Sequence, residues 1–154
     1  MTLPGGGRTL AGMQRVHASC VEIGTAAVLL RGPSGSGKSD LALRLIDQGA
    51  RLVADDYVEL SVRQGRLYAA PPAALVGKLE VRGVGVVRLT HVNRARVGMV
   101  VDLVPKTVAR MPDPATVTLE EIVLPLHTLA SFEASTPAKL RLLVRALDHD
   151  MIET

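Results

Sequence analysis

Residues 32–39 read GPSGSGKS and fit the pattern G-x-x-x-x-G-K-[ST], with Gly32, Gly37, Lys38 and Ser39 at its defining positions. Each residue type answers a demand of phosphate chemistry. Glycines let the backbone curl until several N–H groups face one anion. A helix opening at Gly37 aims the positive end of its dipole at the same point. Lys38 adds a full charge near the terminal phosphates of a nucleotide, and the Ser39 hydroxyl is a ligand for Mg²⁺. The candidate nucleotide-binding residues are therefore Gly32, Pro33, Ser34, Gly35, Ser36, Gly37, Lys38 and Ser39. A short Gly-rich turn can match such a pattern by chance, so context matters. Here an apolar run, AAVLLRG, leads into the loop, and the amphipathic stretch KSDLALRLIDQ leaves it.

Carboxylates come next. RLVADD (51–56) reads as a strand whose carboxyl end carries Asp55 and Asp56. In an open α/β sheet that end lies beside the loop. One carboxylate there suits Mg²⁺, and a second can accept a proton from an attacking hydroxyl. Neighbouring side chains on a strand point to opposite faces. The pair needs a local bend to act together; without one, a metal carboxylate and a solvated surface Asp remain. His17 lies on the strand upstream of the loop and, taken alone, reads more simply as structural. Glu80 opens EVRGVG, whose glycines suggest backbone close to a ligand, although an isolated Glu there would be an ordinary surface group. His91, His127 and His149 show no partner pattern.

These groups need a scaffold. The chain has 154 residues, 47% of them apolar, which suits one domain with a genuine core. Aromatics make up only 2%, so Val, Leu, Ile and Ala must build that core. Residues 1–14, with Gly5-Gly6-Gly7, read as a flexible tail before a catalytic domain over 15–154. Strands are expected over 15–23, 26–32, 51–56, 96–104 and 117–126, and a hairpin around Arg63-Gln64-Gly65. A terminal helix is expected with Thr136 as N-cap and Pro137 as first residue, because Leu140, Leu143, Val144 and Leu147 then share one face.

Composition narrows the partners. The formal net charge is +3, but the Lys and Arg are scattered and few aromatics are available to stack on bases, which argues against nucleic acid. No apolar run approaches the ~18 residues of a membrane span. The one cysteine, Cys20, forms no internal disulfide and reads as a buried small hydrophobe. A cytoplasmic setting is the expectation. Asn93 is followed by Arg94-Ala95-Arg96, so the NKxD element of GTPases is missing.

Together, VHASCVEI, GPSGSGKSDLALRLIDQGARLVADDYVEL and AAPPAALVGKLEVRGVGVV resemble the catalytic domain of the HPr kinase/phosphorylase family, in order and at suitable spacing, over about residues 17–87. The resemblance implies an α/β fold with a P-loop nucleotide-binding core like that of phosphoenolpyruvate carboxykinase, a central β-sheet, a P-loop helix and a C-terminal helix. It implies an ATP-dependent kinase, with Mg²⁺, acting on a serine of an HPr-like phosphocarrier of the bacterial phosphotransferase system. It also implies removal of that phosphate by inorganic phosphate with release of pyrophosphate, and assembly into a homo-oligomer. Carried over by position, Asp55 is the general base, assisted by His17, with Lys38 on the phosphates and Ser39, Asp56 and Glu80 at the metal. Two departures stand out. The motifs begin near residue 17, which matches a short form without the family's separate N-terminal domain. The family's P-x-x-P-G-R-N stretch is replaced by LPLHTLASFEASTPAK, which contains no Arg, so phosphorolysis is expected to be weak. Outside the family, the residues also suit a nucleotide-responsive binding module or a small-metabolite kinase.

Overall fold

A computed structural model of the chain describes residues 2–3, 6–10, 13–106, 108–149 and 151–152. The first half runs β1 (Thr2–Leu3), β2 (Gly6–Leu10), β3 (Met13–His17), β4 (Ser19–Ile23), β5 (Ala26–Arg31), α1 (Lys38–Asp47), β6 (Arg51–Ala54), β7 (Tyr57–Arg63) and β8 (Arg66–Ala70). The second half runs β9 (Lys78–Val81), β10 (Gly85–Arg88), β11 (Ala95–Val104), β12 (Ala115–Leu119), β13 (Ile122–Ala130) and α2 (Thr136–Ala146).

Eleven of these strands form one mixed sheet. β5, β11 and β13 lie parallel, while β4 runs antiparallel to both β5 and β6. The other part of the sheet is an antiparallel series of β2, β3, β7 and β8, joined to β11 through Ala95 and Arg96. β9 and β10 form a separate hairpin.

Alternation along β5 shows how the sheet is covered. Val28 and Leu30 face a core completed by Leu41 and Leu45 of α1, Leu140 and Val144 of α2, and Leu79 of β9. Ala27 and Leu29 face the opposite way, into a core shared with Val58 and Leu60 of β7 and Leu67 and Ala69 of β8. The sheet therefore curls, so that its antiparallel part covers one face of its central strands while the helices cover the other. Cys20 belongs to the second core, fully buried, and that burial pushes its thiol pKa up and keeps it inert.

Four expectations change. The strand expected over 15–23 is two strands broken at Ala18. β3 pairs with β7, and β4 pairs with β5 and β6, so the chain passes between the two parts of the sheet at that residue. Ala18 N–H donates to Asp56 O at 3.2 Å and fastens the corner. The strand expected over 117–126 is the β12–β13 hairpin, turning on Glu120 and Glu121 with φ of 47° and 68°. In α2 the N-cap is Ser135, one residue before the expected Thr136, whose hydroxyl instead donates to Ala130 O. Of the stretch 1–14, Gly6–Leu10 is paired with β3 where a tail is expected, and residues 1, 4, 5, 11 and 12 lie outside the described residues. Among the described residues, no helix is long and apolar enough to cross a membrane.

Candidate active site

Parallel strands bring their carboxyl ends to one edge of the sheet, and the site is built there. β5 ends at Arg31, the loop 32–37 follows, and α1 opens at Lys38 with Gly37 as N-cap. Gly37 has φ 95°, and a Cβ there would lie 2.9 Å from Phe132 Cζ and from Ser131 Oγ. No larger residue fits that conformation or that space. The N–H groups of the first helical turn have no acceptor within the helix and face outward from its positive end.

Lys38 is only 7% exposed. Its Nζ donates to Gly32 O at 2.6 Å and Pro33 O at 3.0 Å, arching over the loop. Burial lowers its pKa, and the nearby charges of Asp55 and Asp56 oppose that shift. An anion over the loop would satisfy the ammonium more fully than the carbonyls do.

The two adjacent carboxylates occupy different environments. β6 ends at Ala54, and Asp56 takes the left-handed conformation, φ 73°, which supplies the bend that the pair requires. Asp55 is 5% exposed and accepts from three donors. Ser19 Oγ at 2.7 Å and Ser39 Oγ at 2.8 Å donate to its Oδ1, and Glu80 N–H donates to Oδ2 at 3.3 Å. The Asp56 side chain is 60% exposed, and its Oδ1 lies 3.2 Å from His17 Nε2. The His17 ring is tilted against Tyr57, with centroids 5.4 Å apart.

A cleft of about 420 Å³ opens over these groups. Of the residues expected from the sequence, His17, Ser34, Gly35, Gly37, Lys38, Ser39, Asp56 and Glu80 line it. Gly32, Pro33 and Ser36 belong to the loop without lining the cleft, and Asp55 is buried against three residues that do line it, Ser19, Ser39 and Glu80. Arg82 and Phe132 line it as well. Sequence reasoning missed Ser19, although it stands two residues from His17 across the corner. It also missed Phe132, the one Phe of the chain, which follows an apolar strand just as the loop follows β5.

Among the described residues, no three His, Cys, Asp or Glu side chains gather into a metal cage. Mg²⁺ seldom asks for one; it is usually held by one or two carboxylates, water and substrate phosphates. Ser39 Oγ and Asp55, already 2.8 Å apart, form a donor set that fits such an ion.

Residues 8–107 match the family model described as the HPr serine kinase C-terminal domain. The chain belongs to that family. Among its relatives, the HPr kinase/phosphorylase of Clostridium botulinum (strain Eklund 17B / Type B) is 40% identical over 82 residues, which are 53% of this chain and 27% of that protein. The enzyme of the same name from Thermoanaerobacter sp. (strain X514) is 40% identical over 99 residues, 62% of this chain and 32% of the relative. The chain thus spans about a third or less of these longer relatives. The structure of the Hpr(Ser) kinase/phosphatase from Coxiella burnetii superimposes with a TM-score of 0.79 at 28% identity, covering 90% of this chain and 98% of that one. An α/β fold with a curled mixed sheet and flanking helices is therefore common to this chain and the Coxiella protein.

Proposed function

We propose that this chain is the catalytic unit of an ATP-dependent protein-serine kinase whose substrate is an HPr-like phosphocarrier, built on a P-loop core like that of phosphoenolpyruvate carboxykinase. The observation that carries the reading is the division of labour between two adjacent carboxylates, one clasping Ser39 in a dry corner and one facing His17 in the open cleft.

The roles follow from that division. Residues 32–39 hold the nucleotide phosphates, with the amides of the loop and first helical turn as donors and Lys38 as the full positive charge. Mg²⁺, when bound, neutralises the phosphate oxygens. Ser39 and Asp55 form the protein side of its site, and Glu80, whose backbone already touches Asp55, stands at the rim. Asp56 is the base that an incoming serine can reach. It takes the hydroxyl proton as the serine oxygen bonds to the γ-phosphorus and the bond from phosphorus to the ADP oxygen breaks. His17 orients the Asp56 carboxylate. This exchanges the two roles that the family resemblance implies, with Asp55 as the base and Asp56 at the metal. The physical reason is access: Asp55 is closed in by three donors. In the reverse direction, Arg82 is the guanidinium in the cleft lining that is available to an incoming inorganic phosphate, whereas Arg110 is not part of that lining.

Incubating an HPr-like carrier with this protein, Mg²⁺ and ATP and weighing the carrier by mass spectrometry tests the reading. One added phosphate on a serine is the expected result. A carrier that stays unmodified while ATP is bound would favour a nucleotide-responsive binding module.

A further inference from the structure

Phe132 is 60% exposed, yet it is not a loose surface side chain. Its ring lies against the loop at Gly37, where only the missing Cβ makes room for it. The carbonyls on either side of it are both held by one side chain: Arg44 Nη2 donates to Ser131 O, and Arg44 Nη1 donates to Glu133 O at 3.2 Å. Arg44 is in turn anchored to Asp40 on the same helix, Nε to Oδ2 at 3.0 Å. Single exposed hydrophobes are ordinary. An exposed aromatic clamped from both flanks against a phosphate-type loop is a preformed surface, and little freedom is left to lose when something lies on it.

Its place in the sheet says what should lie there. The carboxylates follow β6, two strands from β5 on one side, by way of β4. Phe132 follows β13, two strands from β5 on the other side, by way of β11. At the usual strand spacing, the ends of β6 and β13 each lie roughly 10 Å from the end of β5, in opposite directions along the sheet, and their side chains reach back to the loop from either side. A nucleoside triphosphate is a rod with chemically different ends. With its phosphates on the loop and its terminal phosphate toward Asp56, the base must extend the other way.

We propose that Phe132, held in place by Arg44, is the platform on which the base of the nucleotide stacks. This rests on the nucleotide reading above and adds to it the group that recognises the base. Aromatic faces accept any base, so the platform supplies affinity and orientation with little choice among bases.

Calorimetric titration of the whole chain with Mg²⁺–ATP and, separately, with Mg²⁺–tripolyphosphate tests it, because the second ligand keeps the phosphates and lacks the base. Phe132→Ala should weaken ATP about tenfold, the order of effect of losing one base stack. Tripolyphosphate affinity should stay within about twofold of the parent; this also shows that the variant is folded. Phe132→Tyr should restore ATP. If Phe132→Ala leaves ATP unchanged, or weakens both ligands alike, the platform is overturned while the phosphate site stands. A parent protein that binds neither ligand would overturn the nucleotide reading and the platform with it.

Discussion

The two ends of one dipeptide meet opposite fates. The Asp55 corner is dry: Ser19, Ser39 and the Glu80 amide occupy its oxygens, and the residue is buried. The Asp56 corner is wet: the side chain is exposed in the cleft, with His17 as its neighbour. Both carboxylates have the same intrinsic chemistry, so the different roles proposed for them rest on their surroundings alone. A carboxylate surrounded by fixed donors is suited to holding a hydroxyl or cation in place. One that can shed its water to an incoming substrate is suited to moving a proton.

The largest effect should come from removing the charge that both corners share. Lys38→Ala should lower phosphate transfer about a thousandfold or more, the scale of losing a full charge on a transferring phosphoryl group. It should weaken ATP as well. Transfer at the parental rate would remove the basis for comparing the corners at all.

Next come the corners themselves. Asp56→Asn should lose about 10²–10⁴ in transfer while keeping Mg²⁺–ATP affinity, because only the proton acceptor is gone. Asp55→Asn should weaken Mg²⁺–ATP while leaving tripolyphosphate binding without metal near the parental value. ATP affinity measured with and without Mg²⁺ reads the two apart. The opposite pattern would restore the assignment expected from the sequence.

A smaller effect belongs to the rim. Glu80→Gln should raise the Mg²⁺ needed for half-maximal activity by about three- to tenfold, as expected for one partly solvated carboxylate near a cation. Overlaid Mg²⁺ titrations would place Glu80 outside the metal site. The smallest is structural. Ser19→Ala removes a buried hydroxyl donor to Asp55 and should cost about 1–2 kcal/mol of stability, read as a lower urea midpoint at unchanged slope. An unchanged midpoint would mean that the dry corner holds together without Ser19.

Much of this is legible in the sequence. The loop, its flanking strand and helix, the hairpin over residues 57–70 and the last helix all carry local signals, namely glycine spacing, apolar runs and a helical stripe of Leu and Val. What was not legible depends on contacts between distant residues. Nothing in RVHASCVEI marks Ala18 as a corner, because both flanking strands alternate in the same register and only their partners differ. The turn at Glu120 and Glu121 lacks the Gly or Asn that usually announces positive φ. The different surroundings of Asp55 and Asp56 cannot be read from spacing, since they depend on which carboxylate Ser19 and Ser39 reach and on the left-handed backbone at Asp56.

The corner at Ala18 has one more consequence. His17 ends a strand of the antiparallel part of the sheet, and Ser19 begins a strand of the central part. Each touches one member of the same dipeptide, across 39 and 36 residues of chain respectively. Neither contact exists until those distant segments have met and the two parts have closed on each other. The proposed chemistry is therefore tied to closure of the sheet: a chain in which the two parts have not met has the residues of the site but not the site.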